Sequence, residues 1–258
     1  AIPLIIICII SVLVIIKLLI KKLKIPTRMA YLISIGSTVC GTTAIMATAP
    51  VIKANKNEVS YAIANITLFG ILSMLLYPYF ANFYFEGNSL FAGLFLGTAI
   101  HETSQVAAAG LIYDQQFNSP ETLNIATVTK LIRNTFLIVM IPLFAFLYNR
   151  GLVKEKNYSI INIFPYFVLG FVGMIIFRNI GDQIFTTYNN DIWVETINFI
   201  KFFSKIFLTM AMAAIGLSTD LKDIKSMGYK PFAVGFIAML TVGIVCILTI
   251  EIYLKIFM

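Results

Sequence analysis

SIGSTVCGTTAIMATAP, residues 34–50, places two glycines and six hydroxyl side chains inside an otherwise apolar segment. Glycine and small hydroxyl residues weaken a helix, and backbone groups that are freed within lipid must find partners in protein or water. Small residues also let neighbouring membrane helices pack closely, so close packing would explain the same composition. The stretch alone therefore leaves two structures open, a tightly packed helix and an interrupted one.

The composition of the chain defines its class. Of 258 residues, 59% are hydrophobic and 12% are charged, and the mean hydropathy is +0.91. A typical soluble domain carries about 25% charged residues, and no soluble fold of this length can bury so much apolar surface. We therefore expect an all-α membrane protein, a polytopic helical bundle.

Eight apolar segments each approach the ~20 residues that a helix needs to cross the hydrocarbon core of a bilayer. They cover residues 2–20, 29–52, 59–80, 90–113, 125–148, 160–180, 197–217 and 232–257. The net charge is +7, and the cations lie in short segments between the apolar runs, which is typical of membrane-protein loops rather than of a nucleic-acid surface. Eight crossings would place the loops after segments one, three, five and seven on the cytoplasmic side, and Lys53 and Lys56 on the other side. A re-entrant segment four would instead invert the orientation of everything after it.

A second interruption is predicted in segment seven, where TMAMAAIGLSTDL covers residues 209–221. Segments two and seven are the middle members of two triplets of segments, one-two-three and six-seven-eight. The triplets are offset by an odd number of crossings, so the second would be inverted relative to the first. Paired interrupted helices in inverted repeats indicate the substrate site of a secondary transporter. A plan of ten or so helices would place further helices before residue 1.

Hydroxyl groups and half-helix N-termini in these two segments suit a small anion, since both offer hydrogen-bond donors. The candidate substrate-binding hydroxyls are those of Ser37, Thr38, Thr42, Thr43, Ser218 and Thr219. The same hydroxyls and nearby carbonyls could instead hold Na⁺, so the sign of the substrate charge stays open at this point.

Segment four contains GTAIHETSQVAAAG, residues 97–110, which holds the sole histidine of the chain. On a continuous helix, Thr98, His101 or Glu102, and Gln105 would share one face. Segment five adds Lys130 and Arg133 at the same spacing. Ionisable residues inside a membrane pair with one another, face a cavity or carry function. Two interpretations stay open: Glu102 pairs with Lys130 or Arg133, or His101 and Glu102 exchange a coupling proton while a cation attracts the anion.

Enzyme motifs are not found in the sequence. HETSQ lacks the second histidine of the zinc-protease motif, because position 105 is Gln105. Neither a G-x-S-x-G elbow nor a phosphate-binding glycine motif occurs. The three cysteines all lie in apolar runs, so we expect no disulfide. We predict no catalytic residue, no metal site, no cofactor and no enzymatic activity.

Several motifs resemble those of the YeiH-like (UPF0324-type) sulfate exporter family of bacterial and archaeal inner-membrane proteins. They are STVCGTTAIMATAPVIKA (37–54), LFGILSMLLYPYF (68–80), GTAIHETSQVAAAG (97–110), ATVTKLIRNTFLIVMIPLF (126–144) and FLTMAMAAIGLSTDLKDIKSMGYKPF (207–232). The family is distantly similar to sodium/bile-acid symporters and sodium/proton antiporters, which have two crossing interrupted helices. By position, the resemblance adds Cys40, Gly41 and Gly216 to the substrate-binding set and marks His101, Glu102, Gln105, Lys130 and Arg133 for proton coupling or ion pairing.

The resemblance implies a single transmembrane transporter domain over residues 1–258 that lacks N-terminal helices. Residues 1–80 and 160–258 would form its core and residues 88–150 its panel, with elevator-like alternating access. Its expected function is ion-driven export of a small anion, sulfate first, across the inner (plasma) membrane. A sulfonate or organic-anion carrier coupled to Na⁺ or H⁺, a passive anion channel and a non-transporting scaffold remain alternatives. Membrane lipid, the anion and the coupling ion are the expected partners, nucleic acid is not, and a homodimer is left open.

Overall fold

The computed structural model describes residues 1–23, 25–152, 166–188, 190–217 and 228–257, and these residues contain helices and no strand. In chain order the helices are α1 (Ile2–Leu23), α2 (Thr27–Thr38), α3 (Thr42–Thr48), α4 (Lys56–Phe85), α5 (Ser89–Ala99), α6 (Thr103–Phe117), α7 (Glu121–Thr135), α8 (Leu137–Leu152), α9 (Tyr166–Tyr188), α10 (Asn190–Leu217) and α11 (Lys230–Phe257). The predicted all-α membrane architecture is confirmed.

Four stretches of the described residues are long and apolar enough to cross a membrane. They are Ile2–Leu19, Lys56–Phe85, Glu121–Phe144 and Lys230–Lys255. These stretches correspond to segments one, three, five and eight of the sequence.

Helix α4 provides a reference axis because both of its ends are well defined. Asn55 caps its start with a full capping box, in which the Asn55 side chain accepts from the Glu58 backbone N–H at 2.8 Å and the Glu58 carboxylate accepts from the Asn55 N–H at 2.9 Å. Glu86 ends the helix in the left-handed region, with φ 51°. We call the side where α4 begins the near end and the side where it stops the far end.

Helix α11 runs parallel to α4. The Tyr61 hydroxyl donates to the Gly228 carbonyl at 2.9 Å, and the Tyr77 hydroxyl, further along α4, donates to the Met239 carbonyl at 3.1 Å. Both helices therefore cross from the near end to the far end. Helix α1 packs on α11 and α2.

Helices α5 and α6 form a re-entrant hairpin, which we call hairpin 2 (Ser89–Phe117). Aromatic contacts make α5 antiparallel to α4, because the ring of Phe91 lies against Phe85 at 6.2 Å and the ring of Phe95 lies against Tyr77 at 5.1 Å. Helix α6 runs the other way. Its first turn contacts the middle of α4, and its Tyr113 hydroxyl donates to Asn82, near the far end, at 3.3 Å. Hairpin 2 thus enters from the far end and returns to it.

Helices α7 and α8 cross the bundle from the far end to the near end. Helix α7 lies parallel to α5 at a very short distance: a Cβ on Gly93 would lie 3.1 Å from the Thr122 carbonyl oxygen, and one on Gly97 would lie 2.4 Å from that of Ala126. Only glycine permits this approach of two backbones. The close packing fixes the position of the α7 side chains relative to hairpin 2.

Helices α2 and α3 form a second re-entrant hairpin, hairpin 1 (Thr27–Thr48). Helix α2 is antiparallel to α7 and α8, since Arg133 of α7 bonds the end of α2 and Phe144 of α8 contacts Tyr31 near its start, with ring centroids 5.7 Å apart. Helix α2 therefore starts at the near end. Helix α4 also starts there, only a few residues after α3 ends. Hairpin 1 consequently enters from the near end and returns to it.

These hairpins correct the predicted arrangement in three respects. Segment two is interrupted as predicted, but its two halves reverse direction instead of crossing the membrane. A second interruption lies in segment four, at residues 100–102; in segment seven α10 is helical to Leu217, and the rest of the interruption predicted there falls on residues 218–221. Ser218 and Thr219 lie outside the described residues. Lys53 and Lys56 share the near end with Arg28 and do not lie opposite to it.

An inverted repeat is nevertheless present, in a different place from the predicted triplets. Hairpin 1 followed by α4 has the same order of elements as hairpin 2 followed by α7 and α8, and the two units enter from opposite ends. The predicted division into core and panel remains a prediction.

Candidate functional site at the hairpin tips

The tips of the two hairpins meet inside the bundle. Gly41, with φ +66°, turns the chain between α2 and α3, and a Cβ added there would lie 3.4 Å from the Glu102 Cβ and 3.5 Å from the His101 carbonyl oxygen. The Thr42 hydroxyl donates a hydrogen bond to the Glu102 carboxylate. A positive φ is accessible to glycine without strain, so Gly41 allows both the turn and the close contact between tips.

Lys130 of α7 connects the two tips. Its side chain is fully buried, and its Nζ donates to the carbonyl oxygens of Val39 at 2.9 Å, Ile100 at 3.0 Å and His101 at 2.5 Å. One of these carbonyls belongs to hairpin 1 and two belong to hairpin 2. The ammonium group therefore uses all three of its donors on backbone oxygens.

Arg133, one helical turn further on, makes the same kind of connection. Its Nε donates to the Thr38 carbonyl at 3.0 Å and its Nη2 to that of Ser37 at 2.5 Å. Its Nη1 donates to the carbonyls of Thr98 at 2.5 Å and Ile100 at 3.1 Å. The guanidinium is also buried, and it spans the ends of α2 and α5.

The chemistry of these contacts follows from helix geometry. The last carbonyls of a helix lack intrahelical partners, and each C-terminus carries the equivalent of about −0.5 charge. Helices α2 and α5 both end inside the bundle, where water cannot satisfy these groups. Lys130 and Arg133 stabilise both ends at once, which explains why two cations lie at this depth.

The predicted ion pair between Glu102 and Lys130 or Arg133 is not formed. Both cations donate to carbonyl oxygens, and the Glu102 carboxylate instead accepts from Thr42. A salt bridge is found instead on α9, between Arg178 and Asp182. The cations do lock segment five to segment four, as the structural interpretation expected, but through the backbone.

Several buried polar atoms around the tips have no hydrogen-bond partner among the described residues. They are Ser37 Oγ, Thr98 Oγ1, both ring nitrogens of His101, Gln105 Oε1 and Asn134 Oδ1. Unpaired buried polar atoms are rare in native proteins, and an anion or water can supply the missing partners. Of these residues, Ser37, Thr98 and His101 also bond Arg133 or Lys130 through their backbone carbonyls, so their orphaned atoms belong to residues that contact the two cations.

The other predicted residues are divided between the tips and the rest of the chain. Hairpin 1 holds Ser37, Thr38, Cys40, Gly41, Thr42 and Thr43. Of these, Thr43 is exposed on α3, and the Thr38 hydroxyl donates to the Ser34 carbonyl at 2.9 Å. Gly216 lies in the last turn of α10.

The predicted shared face of Thr98, His101 and Gln105 is wrong, because α5 ends at Ala99 and α6 begins at Thr103. A helical periodicity does not continue through the extended residues between them. Gln105 instead reaches α4, where its Nε2 donates to the Thr67 carbonyl at 3.3 Å.

An internal similarity in the sequence would have revealed the second hairpin. GSTVCGTTAIMA, residues 36–47, and GTAIHETSQVAA, residues 97–108, align without a gap. Both begin with glycine and a hydroxyl residue, carry a β-branched residue at the fourth position, and resume with a threonine at the seventh. The similarity also reveals Thr103, the counterpart of Thr42, whose hydroxyl accepts from Asn134 Nδ2 at 3.2 Å.

Comparison with known proteins identifies the family. Residues 1–235 match the family described as Conserved hypothetical protein 698. A UPF0324 membrane protein of Fusobacterium nucleatum is 36% identical over 254 residues, which cover 96% of this chain and 73% of that protein. One from Streptococcus agalactiae is 36% identical over 235 residues, covering 91% and 68%, and one from Clostridium tetani is 32% identical over 243 residues, covering 88% and 66%. No solved structure matches the chain with significance.

Apolar crossing helices and two re-entrant hairpins define an all-α, multi-pass membrane protein. The chain belongs to the Conserved hypothetical protein 698 family, whose relatives above are named UPF0324 membrane proteins. The resemblance to the YeiH-like, UPF0324-type family is thus confirmed.

Proposed function

We propose that this protein is a secondary transporter of a small anion and that the anion binds where the two hairpin tips meet. The observation that carries the proposal is the pair of buried cations, Lys130 and Arg133, which have no carboxylate partner among the described residues. Carbonyl dipoles hold the two cations in place but do not cancel their formal charge. Glu102 is the acid of the tips, so the tips carry an excess of positive charge.

A small anion would offset this excess charge, which is expensive to keep inside a membrane. The unpartnered donors Ser37, Thr98 and His101 could then bind its oxygens. Sulfate, with four acceptor oxygens and no donor at neutral pH, suits such a site and is the first candidate; a sulfonate such as taurine is the second. The second hairpin takes the place that segment seven held in the sequence-based hypothesis.

The opposed hairpins support alternating access. Hairpin 1 lies between the tips and the near end, and hairpin 2 lies between the tips and the far end. Separation of one hairpin at a time would expose an anion to one side of the membrane, as a carrier requires. The near end holds Lys22, Arg28, Lys53 and Lys56, so we place it in the cytoplasm of a cell whose inner membrane contains the protein.

Transport assays in proteoliposomes test the proposal. Uptake of labelled sulfate and labelled taurine is measured with pH and Na⁺ gradients imposed separately. Saturable flux that follows one gradient supports a coupled carrier, whereas flux without coupling at far higher rates would indicate a passive channel. Neither binding nor flux of either anion would contradict the substrate assignment.

Variants then test the site itself. Ser37→Ala and Thr98→Val should weaken anion binding, while Thr241→Val, a hydroxyl on α11 that donates to the Ile237 carbonyl, should not. His101→Gln tests the proton role that the sequence left open. A changed pH profile of transport would support that role, and an unchanged profile would assign His101 to structure.

A further inference from the structure

We infer that the Lys130 ammonium is a tethered cation that fills a position suited to an alkali metal ion, so that the carrier requires no Na⁺ there. The consequence for ion coupling rests on the proposed transport function. The contacts of Lys130, and the effect of cations on its variants, do not depend on transport of an anion.

The surroundings of Lys130 Nζ have the chemistry of an alkali-cation site. Three backbone oxygens, those of Val39, Ile100 and His101, lie 2.9, 3.0 and 2.5 Å from the nitrogen. In secondary transporters with interrupted helices, unwound carbonyls and half-helix C-termini of this kind coordinate Na⁺. Here the chain itself supplies the positive charge.

Lys130 differs from an ordinary structural lysine because the oxygens that it bonds come from both hairpins. A free Na⁺ between two tips would bind and dissociate as the tips approach and separate. An ammonium on α7 cannot leave, and the tight packing of α7 on α5 through Gly93 and Gly97 holds it in place. Of the coupling ions that the sequence left open, H⁺ and Na⁺, this removes Na⁺ from the tips.

The contacts of the neighbouring Arg133 also indicate that only one cation occupies the position of Nζ. Arg133 already bonds the neighbouring carbonyls of Ser37, Thr38 and Thr98, and it shares the Ile100 oxygen with Lys130. The carbonyls of Ser37, Thr38, Val39, Thr98, Ile100 and His101 are thus all bonded by these two side chains. An added ion would have to displace Lys130.

The test removes the tethered cation and asks whether a free one replaces it. The midpoint of thermal unfolding is measured for purified wild type and Lys130→Ala in choline, Na⁺, K⁺ and Li⁺ chloride at constant ionic strength. We expect the wild type to be indifferent to the cation. Lys130→Ala should be less stable in choline and should regain about 5 °C in a saturable way with one alkali cation.

Two further variants make the result specific. Lys130→Met fills much of the lysine volume without charge, so it should stay destabilised in every salt. Lys201→Ala, which removes an exposed cation on α10, should behave as the wild type. If Lys130→Ala responds to no alkali cation, the inference is wrong.

The wild-type measurement decides the matter independently if Lys130→Ala does not fold. Equilibrium binding of labelled Na⁺ at millimolar concentrations should show no component in the wild type that depends on Lys130. Saturable binding that Lys130→Met leaves intact would lie at another position and would agree with exclusion of Na⁺ from the tips. Saturable Na⁺ binding that Lys130→Met abolishes would overturn the inference. Absence of sulfate flux alone would contradict only the proposed function.

Discussion

The Thr42 hydroxyl donates to the Glu102 carboxylate, although the two residues belong to hairpins that enter the bundle from opposite ends. It is a direct side-chain link between the two tips, and neither Lys130 nor Arg133 takes part in it. Any movement that separates the hairpins must break this bond.

We expect Thr42→Val and Glu102→Gln to be coupled. Because a hydrogen bond to a charged group contributes about 1.5–3 kcal/mol, a double-mutant cycle on thermal stability should give a coupling energy of about 1–2 kcal/mol. Thr43→Val, which alters an exposed hydroxyl of the same helix, is the matched control. Additive effects of the two substitutions would show that the bond has no energetic weight.

Arg133→Met should destabilise the protein strongly. The substitution leaves the carbonyls of Ser37, Thr38 and Thr98 buried without a donor, and breaking a buried charged contact costs about 3–5 kcal/mol. Arg133→Lys should lose less because one donor group remains. Thermal unfolding in detergent measures both variants, with Lys201→Met as the control for loss of an exposed cation. Equal stability of Arg133→Met and the control would refute the bridging role.

Gly97→Ala should push α5 and α7 apart. The new Cβ would meet the Ala126 carbonyl oxygen at 2.4 Å and the Thr129 Cβ at 2.7 Å, and overpacking of this kind costs about 1–3 kcal/mol. Gly173→Ala on α9, where a Cβ meets nothing within 4 Å, should be neutral. The difference between the two unfolding midpoints measures the effect, and no difference would contradict the close packing of α5 on α7.

Single cysteines can distinguish re-entrant hairpins from crossing helices. The native thiols of Cys8, Cys40 and Cys246 are all buried and are first replaced. Labelling with a membrane-impermeant maleimide should then modify Lys22→Cys and Lys53→Cys from the same face, because hairpin 1 returns to the near end.

The second hairpin gives the complementary result in the same assay. Glu86→Cys and Asn118→Cys should both react from the opposite face, since hairpin 2 returns to the far end. All four positions are exposed. If segment two crossed the membrane, Lys53→Cys would react from the face opposite to Lys22→Cys, which would contradict the structure.

The crossing helices were predictable because their requirements are local. A crossing needs about 20 apolar residues, and α1, α4, α7 with α8, and α11 coincide with segments that were recognised by length and composition. The interruption of segment two was predictable for a similar reason, since Gly41 and its hydroxyl neighbours weaken a helix wherever they occur.

The direction of the chain after an interruption was not predictable in the same way. A break permits the second half to continue or to reverse, and both outcomes satisfy local propensity. The reversal at Gly41 depends on tertiary contacts. Helix α3 packs beside α2, and α4 then starts at the same end of the bundle as α2. For segment four, the apolar spacing left a crossing helix and a re-entrant one both open, and the similarity between residues 36–47 and 97–108 indicates the re-entrant one.

The sequence by itself determined that Lys130 and Arg133 must be compensated, because a charged side chain inside a membrane cannot remain without partners. It could not determine which partners. A carboxylate such as that of Glu102 and the carbonyls at a helix C-terminus both serve, and the choice depends on which oxygens lie within about 3 Å of the nitrogen atoms. Only the tertiary structure decided that choice, by bringing the ends of α2 and α5 to the same face of α7.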